Sequence, residues 1–142
     1  MIPPKFREYA RAFYEVAKRD GERARRAMEL RDFPQCFFYA QQSVEKSAKA
    51  MLELKLVYKK EHDIIADVAS NLQDLGRDLD EVLNALDYLS GAWSVSRYPF
   101  FNGNAVTTPE EFVTEEMCRR GIEYSESVIK IAENYLRKYG II

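Results

Sequence analysis

The feature that most constrains the fold is a segment, residues 36–53, that carries two stripes at one helical period. Apolar side chains recur every three or four residues and predict the buried face of an α-helix: Phe37, Ala40, Val44, Ala48 and Met51. Polar side chains recur in the same way on another face: Gln42, Glu45, Lys46, Lys49 and Glu53. The segment therefore predicts a long helix that packs against the core on one side and presents ordered charge on the other.

The composition is that of a globular protein and excludes several classes of function. The 142 residues favour one domain, residues 1–142, large enough to bury a core without disulfides. Lys and Arg number 21 against 23 Asp and Glu, so the net charge of -2 gives no global attraction to nucleic acid or anionic membranes. No apolar run has the length of a transmembrane helix, and the N-terminus lacks a signal-peptide pattern. We therefore expect a cytoplasmic protein.

The cysteines and the histidine limit the chemistry further. Cys36 and Cys118 have neither CxxC spacing nor a nearby histidine, so we expect two buried thiols, with no metal site and no cofactor. His62 is the one histidine in the sequence. A single imidazole excludes mechanisms that need two, and a capping or interface role for His62 is the simpler interpretation.

Helical periodicity and capping signals divide the chain into five helices, three long and two short. A cap at Asp32 precedes the second helix, and Asp78 with Glu81 resembles a capping box at the fourth. Thr108 with Glu111 gives the same signal for the last helix. We expect a loop over 100–107. The predicted helices cover about residues 5–31, 33–60, 62–75, 78–97 and 108–139.

These helices predict an all-α fold, an antiparallel up-and-down bundle. We find no alternating strand pattern and no internal repeat, and the connections are short. Gly121 falls in the apolar stripe of the last helix, so we expect it to let a neighbouring helix come close. Since helices of unequal length leave apolar surface uncovered, a second copy of the chain is the simplest cover, and we expect a homodimer.

Up-and-down connectivity brings residues from distant parts of the sequence to one end of the bundle. This end combines cations with two helix N-termini, which suits an anion such as phosphate. Lys46 and Lys49 would extend the charge along a groove. An ordinary solvated face with i,i+4 pairs between Glu45, Lys49 and Glu53 is the alternative. The residues expected at this end are Lys59, Lys60, His62, Arg97 and Tyr98.

Three segments resemble the HEPN domain family, named for higher eukaryotes and prokaryotes and for nucleotide binding. They are Phe38-Tyr39-Ala40-Gln41-Gln42-Ser43-Val44-Glu45-Lys46-Ser47-Ala48-Lys49-Ala50, then His62-Asp63-Ile64, then Ser96-Arg97-Tyr98-Pro99. Their order and spacing match the family over most of the chain. The resemblance implies a four- or five-helix bundle, frequent homodimers and operon pairing with a minimal nucleotidyltransferase. The family is also similar to the C-terminal helical domain of kanamycin nucleotidyltransferase.

The chain departs from the pattern of the HEPN ribonuclease toxins. Those toxins carry an arginine followed, after four to six residues, by a histidine. The arginine here would be Arg97, but Asn102, Gly103 and Asn104 stand where the histidine should be. None of the three can act as a general base near neutral pH. The resemblance therefore implies a nucleotide-binding module or nucleotidyltransferase partner, within a toxin–antitoxin type operon.

For that role we expect a set of ligand-binding residues and no catalytic residue. Arg97 would contact phosphate with its planar guanidinium, and Tyr98 could stack on a base. Two alternatives stay open: a metal-independent ribonuclease that uses Arg97 and His62, and a purely structural dimerisation module. The full expected set is Arg97, Tyr98, His62, Lys46, Lys49, Gln42 and Glu45.

Overall fold

Three long helices form the frame of the molecule. The computed structural model describes residues 1–58 and 60–142; Lys59, expected among the cations at the bundle end, lies outside the described residues. A 3₁₀ turn, Gln73–Leu75, follows the third helix. The elements are α1 (Pro4–Glu29), α2 (Phe33–Glu53), α3 (Ile65–Asn71), α4 (Asp78–Tyr88), α5 (Ala92–Val95), β1 (Phe100–Asn102), β2 (Ala105–Thr107), α6 (Pro109–Phe112) and α7 (Glu115–Lys138).

The long helices α1, α2 and α7 all contact one another, and α2 also touches α3, α4, α5 and α6. The apolar stripe predicted for α2 is confirmed, because all five of its side chains are buried. Gly121 of α7 faces Ala40 of α2 so closely that an added Cβ would lie 3.2 Å from the Cβ of Ala40. The predicted close approach at Gly121 is therefore confirmed, as is the helical-bundle fold class.

The prediction that α2 presents its charged stripe on a separate outer face is wrong. Glu45, Lys49 and Glu53 are only 2%, 7% and 1% exposed. Gln42 and Lys46 are half-buried. The reason is that six other helices pack against α2, so that even its polar side chains are largely shielded from solvent. Such buried charges are tolerated only when other groups compensate them.

Several predicted helix ends are also wrong. The second helix ends at Glu53 and not near residue 60, and Leu56 just beyond adopts a left-handed φ of 60°. The fourth ends at Tyr88, after which Gly91, with φ of 81°, begins the separate short helix α5. The side chain of Asp78 makes no capping hydrogen bond, because Asp78 already lies within the helix. The third helix begins at Ile65, three residues later than predicted.

The segment predicted as a loop, residues 100–107, is a small antiparallel hairpin. Phe100 pairs with Thr107 and Asn102 with Ala105, around a turn at Gly103, whose φ is 72°. The capping box at Thr108 and Glu111 is confirmed, with both reciprocal hydrogen bonds present. A second cap at Thr114 divides the predicted last helix into α6 and α7. Among the described residues, no helix is both long and apolar enough to cross a membrane.

Candidate functional site

The candidate site is built around Trp93 on α5. The guanidinium carbon of Arg97 lies 4.9 Å from the centroid of the Trp93 ring, 5.6 Å from that of Tyr98 and 5.3 Å from that of Phe38. The rings of Trp93 and Tyr98 also contact each other, with centroids 5.8 Å apart. The turn that follows α5 explains the arrangement, since the backbone N–H of Arg97 donates to the carbonyl of Ser94 at 3.1 Å and so keeps Arg97 close to Trp93. Arg97 is therefore held by cation–π contacts with three rings.

The charge of Arg97 is not neutralised by a neighbouring carboxylate. Across residues 1–58 and 60–142, no ion pair includes Arg97. The rings of Trp93 and Tyr98 are 40% and 47% exposed. The cluster thus presents aromatic faces and an uncompensated guanidinium to solvent, the two features that nucleotides use for stacking and phosphate contacts.

His62, in the connection between α2 and α3, contacts the same aromatic cluster. Its ring centroid lies 6.0 Å from that of Trp93. Its Nδ1 lies 3.0 Å and 3.2 Å from the two carboxylate oxygens of Glu45. With Nδ1–H donating to the carboxylate, Nε2 is left as the accessible nitrogen of a side chain that is 59% exposed. His62 and Arg97, far apart in sequence, therefore both contact one indole.

Three further side chains of α2 form a buried network that holds His62. The amide nitrogen of Gln41 donates to Glu45 at 3.0 Å, and that of Gln42 donates to the side-chain oxygen of Gln41 at 2.6 Å. Lys49 pairs with Glu45 at 3.3 Å. Glu45 thus accepts from Gln41, Lys49 and His62, so its carboxylate is compensated although it is buried. Glu45 and Lys49 are buried and not exposed to a ligand; Glu45 contacts His62, and Lys49 pairs with Glu45.

A cavity of about 320 Å³ opens beside this network. Its polar and aromatic lining includes Gln41, His62, Asp63, Ser90, Trp93 and Ser94. That volume lies at the lower end of the range, about 300–1,000 Å³, that small-molecule sites occupy. Arg97 and Tyr98 do not line the cavity but adjoin it through Trp93. Of the two helix starts expected over this site, that of α3 contributes, through Ile65.

The structure does not bring Lys46 to this site. Its ammonium lies 2.7 Å from the carboxylate of Asp20, a side chain of α1 that is 2% exposed and also accepts from Arg23 at 2.7 Å. Lys46 therefore neutralises a buried acid between α1 and α2. Lys60 is exposed, and the structure shows no contact that joins it to the cluster.

Sequence reasoning missed the side chain at the centre of the site. Trp93 lies within the predicted fourth helix and was not among the expected binding residues, but it is 40% exposed and contacts both His62 and Arg97. The signal that could have found it is the i,i+4 spacing of a tryptophan and an arginine close to a proline. Gln41 was missed as well. Within the part of the chain that the structure describes, no group of three or more His, Cys, Asp or Glu side chains could hold a metal ion.

Comparison with known proteins agrees with this architecture. A protein of Methanocaldococcus jannaschii named "Putative toxin MJ1304" is 26% identical over an alignment that covers 94% of this chain and 93% of that protein. The crystal structure of TT1696 from Thermus thermophilus superposes with a TM-score of 0.76 at 22% identity, over 89% of this chain and 98% of that one. The family model of the HEPN domain matches residues 10–135. The chain therefore belongs to the HEPN domain family.

Proposed function

We propose that this HEPN protein binds the phosphate and base of a nucleotide, free or within RNA, at the surface formed by Arg97, Trp93, Tyr98 and His62. The observation that carries the proposal is the unpaired guanidinium of Arg97 on exposed aromatic rings. A base can stack on the indole or phenol face, while the guanidinium donates to phosphate oxygens. The neighbouring cavity offers further polar groups for orientation.

A role in a toxin–antitoxin type system is the second part of the proposal. Its support is the similarity to a protein named as a toxin, over nearly the full length of both chains. In that setting the nucleotide site would serve a homodimer that works with a minimal nucleotidyltransferase, as the family resemblance implies. The long helices α1, α2 and α7 would supply the scaffold for such assembly.

One observation favours the ribonuclease alternative. The hydrogen bond between His62 and buried Glu45 fixes the imidazole ring beside the same indole that Arg97 contacts. In this alternative Arg97 would stabilise charge developing on a phosphate, and Nε2 of His62 would move the proton. His62 precedes Arg97 in the chain, whereas the toxin histidine follows its arginine.

Isothermal titration with ATP and with a short single-stranded RNA tests the binding site. We expect Arg97→Ala to weaken binding at least tenfold, because a charge-assisted hydrogen bond contributes about 1.5–3 kcal/mol. Arg25→Ala is the matched control, since Arg25 is an exposed arginine already paired with Glu126 at 2.8 Å. Equal affinities for the wild type and Arg97→Ala would refute the proposed site.

The same RNA, recovered after incubation, separates the alternatives. Intact RNA with saturable binding supports a binding module. Cleavage that His62→Ala abolishes would establish the ribonuclease instead. No binding of either ligand at millimolar concentration would leave the structural dimerisation module as the remaining hypothesis.

A further inference from the structure

The last residue of α2 is a buried acid without full compensation. Glu53 is 1% exposed, and its Oε2 atom has no hydrogen-bond partner among the described residues. An unsatisfied buried carboxylate oxygen is costly, and proteins keep such a group rarely. Glu45, two turns earlier on the same helix, shows the contrast, because three side chains compensate it. Glu53 therefore requires an explanation that packing alone does not give.

Glu53 lines a small cavity of about 100 Å³ whose other walls are Lys5, Phe6, Tyr9 and Tyr58. The rings of Tyr9 and Tyr58 contact each other, with centroids 5.3 Å apart, and both are partly exposed. Three aromatic rings and a carboxylate make a suitable environment for an organic cation. The cavity shares no lining residue with the cavity beside Trp93.

We propose that this cavity binds a primary ammonium group on an alkyl chain, with the ammonium on Glu53 and the chain against Tyr9 and Tyr58. The volume is too small for a nucleotide and suits one short side chain. The buried Oε2 atom has no hydrogen-bond partner among the described residues, and a cavity of about 100 Å³ admits a compact ammonium more readily than a planar guanidinium. The ligand is either a free alkylamine or a lysine side chain of a partner protein.

The cation in the wall does not already fill this role. Lys5 lines the cavity, but no ion pair joins it to Glu53 in the described part of the chain. Burial raises the pKa of Glu53 to about 7, and the positive charge of Lys5 opposes the shift. The titratable side chains around the cavity are thus Lys5, Tyr9, Tyr58 and Glu53. At pH 8 the carboxylate is ionised and can bind a cation; at pH 6 it is mostly protonated.

Titration with n-butylamine, followed by NMR of ¹³C-labelled glutamate side chains, tests the proposal. At pH 8 we expect saturable binding that shifts the Glu53 signal, and affinity about tenfold weaker at pH 6 as the ionised fraction falls. Glu53→Gln should lose at least tenfold in affinity at pH 8 and show no dependence on pH. Glu8→Gln, an exposed acid on the same turn of α1 as Lys5, is the matched control and should bind as the wild type does.

A second ligand separates the two sources. Binding of both butylamine and a blocked Gly-Lys-Gly peptide supports a lysine of a partner protein, and binding of butylamine alone supports a free amine. No shift of Glu53 at any amine concentration, or equal loss in Glu8→Gln, overturns the proposal. Binding that appears only in Lys5→Met would assign the cavity to the chain's own lysine and overturn the proposal too.

Discussion

At the scale of single residues, the decisive feature is that α2 buries two glutamates, Glu45 and Glu53, in very different surroundings. Glu45 accepts from Gln41, Lys49 and His62, so its buried carboxylate has three compensating partners. Among the described residues Glu53 has no comparable partners, and burial raises its pKa to about 7 from 4.5. The first acid therefore positions the imidazole of His62, whereas the second weakens the fold whenever it ionises.

The linkage between Glu53 and stability has a definite sign. Because the folded state holds the Glu53 proton more tightly than the unfolded chain does, this residue's contribution is most favourable below about pH 4.5. The contribution falls as pH rises toward about 7 and is constant above it. Glu53→Gln should therefore raise the free energy of unfolding at pH 8 by up to about 3 kcal/mol relative to the wild type, with little difference at pH 4.

Urea denaturation of the wild type and Glu53→Gln over pH 4–8 measures this difference. Glu8→Gln should follow the wild-type curve, since Glu8 is exposed. A gap between wild type and Glu53→Gln that does not change with pH would contradict the assignment.

At the scale of elements, small residues set how closely α1, α2 and α7 approach. The hydroxyls of Ser43 on α2 and Ser125 on α7 are hydrogen-bonded at 2.6 Å across the seam. A Cβ added at Gly121 would lie 3.2 Å from the Cβ of Ala40, and one added at Gly21 would lie 3.0 Å from Cδ1 of Ile129. The first neighbour is fixed to a backbone; the second is the end of a flexible side chain.

The two glycines should therefore respond differently to substitution. Gly121→Ala should destabilise the protein by about 1–3 kcal/mol, because α2 and α7 must separate. Both substitutions gain about 1 kcal/mol in helix propensity, and in Gly21→Ala this gain should offset most of the clash, because the end of the Ile129 side chain can move aside. Thermal or chemical denaturation of both variants tests the order, and an equal or larger loss in Gly21→Ala would contradict it.

The elements also show what the sequence could predict. The apolar stripe of α2 and the Thr108 capping box depend on local spacing and were found. The end of α2 was missed because Leu56, and no glycine, adopts the left-handed conformation there. The hairpin was missed because its three-residue strands are too short for alternation to register.

The candidate site divides in the same way. His62 and Arg97 could be expected at one end of the bundle from connectivity alone, and both contact Trp93. The burial of Lys49 and the pairing of Lys46 with Asp20 could not be predicted, since they depend on how the other helices pack around α2. That the seven expected residues bind a ligand stays a prediction.

At the scale of the whole molecule, hydrogen bonds connect α1 to the residues that follow α7. The guanidinium of Arg11 on α1 donates to the carbonyl of Ile141 at 3.2 Å, and Arg7 donates to Gly140 at 3.1 Å. The side chain of Ile141 is 3% exposed and belongs to the core. The residues after α7 thus join the first helix to the last.

Two adjacent isoleucines allow a matched test of this fastening. Ile141→Ala should cost about 2–5 kcal/mol of unfolding free energy, as expected for a buried isoleucine. Ile142 is 39% exposed, so Ile142→Ala should change stability by less than about 0.5 kcal/mol. Denaturation curves for the pair measure the difference, and equal losses would contradict a specific contribution from the buried Ile141 side chain.

The position of Trp93 has a practical consequence. It is the one tryptophan in the sequence, and it lies against both the imidazole of His62 and the guanidinium of Arg97. The fluorescence of the indole therefore reports on the surroundings of His62 and Arg97. Stacking of a base on the indole would alter its emission, so the fluorescence of the unlabelled chain reports on the proposed nucleotide site.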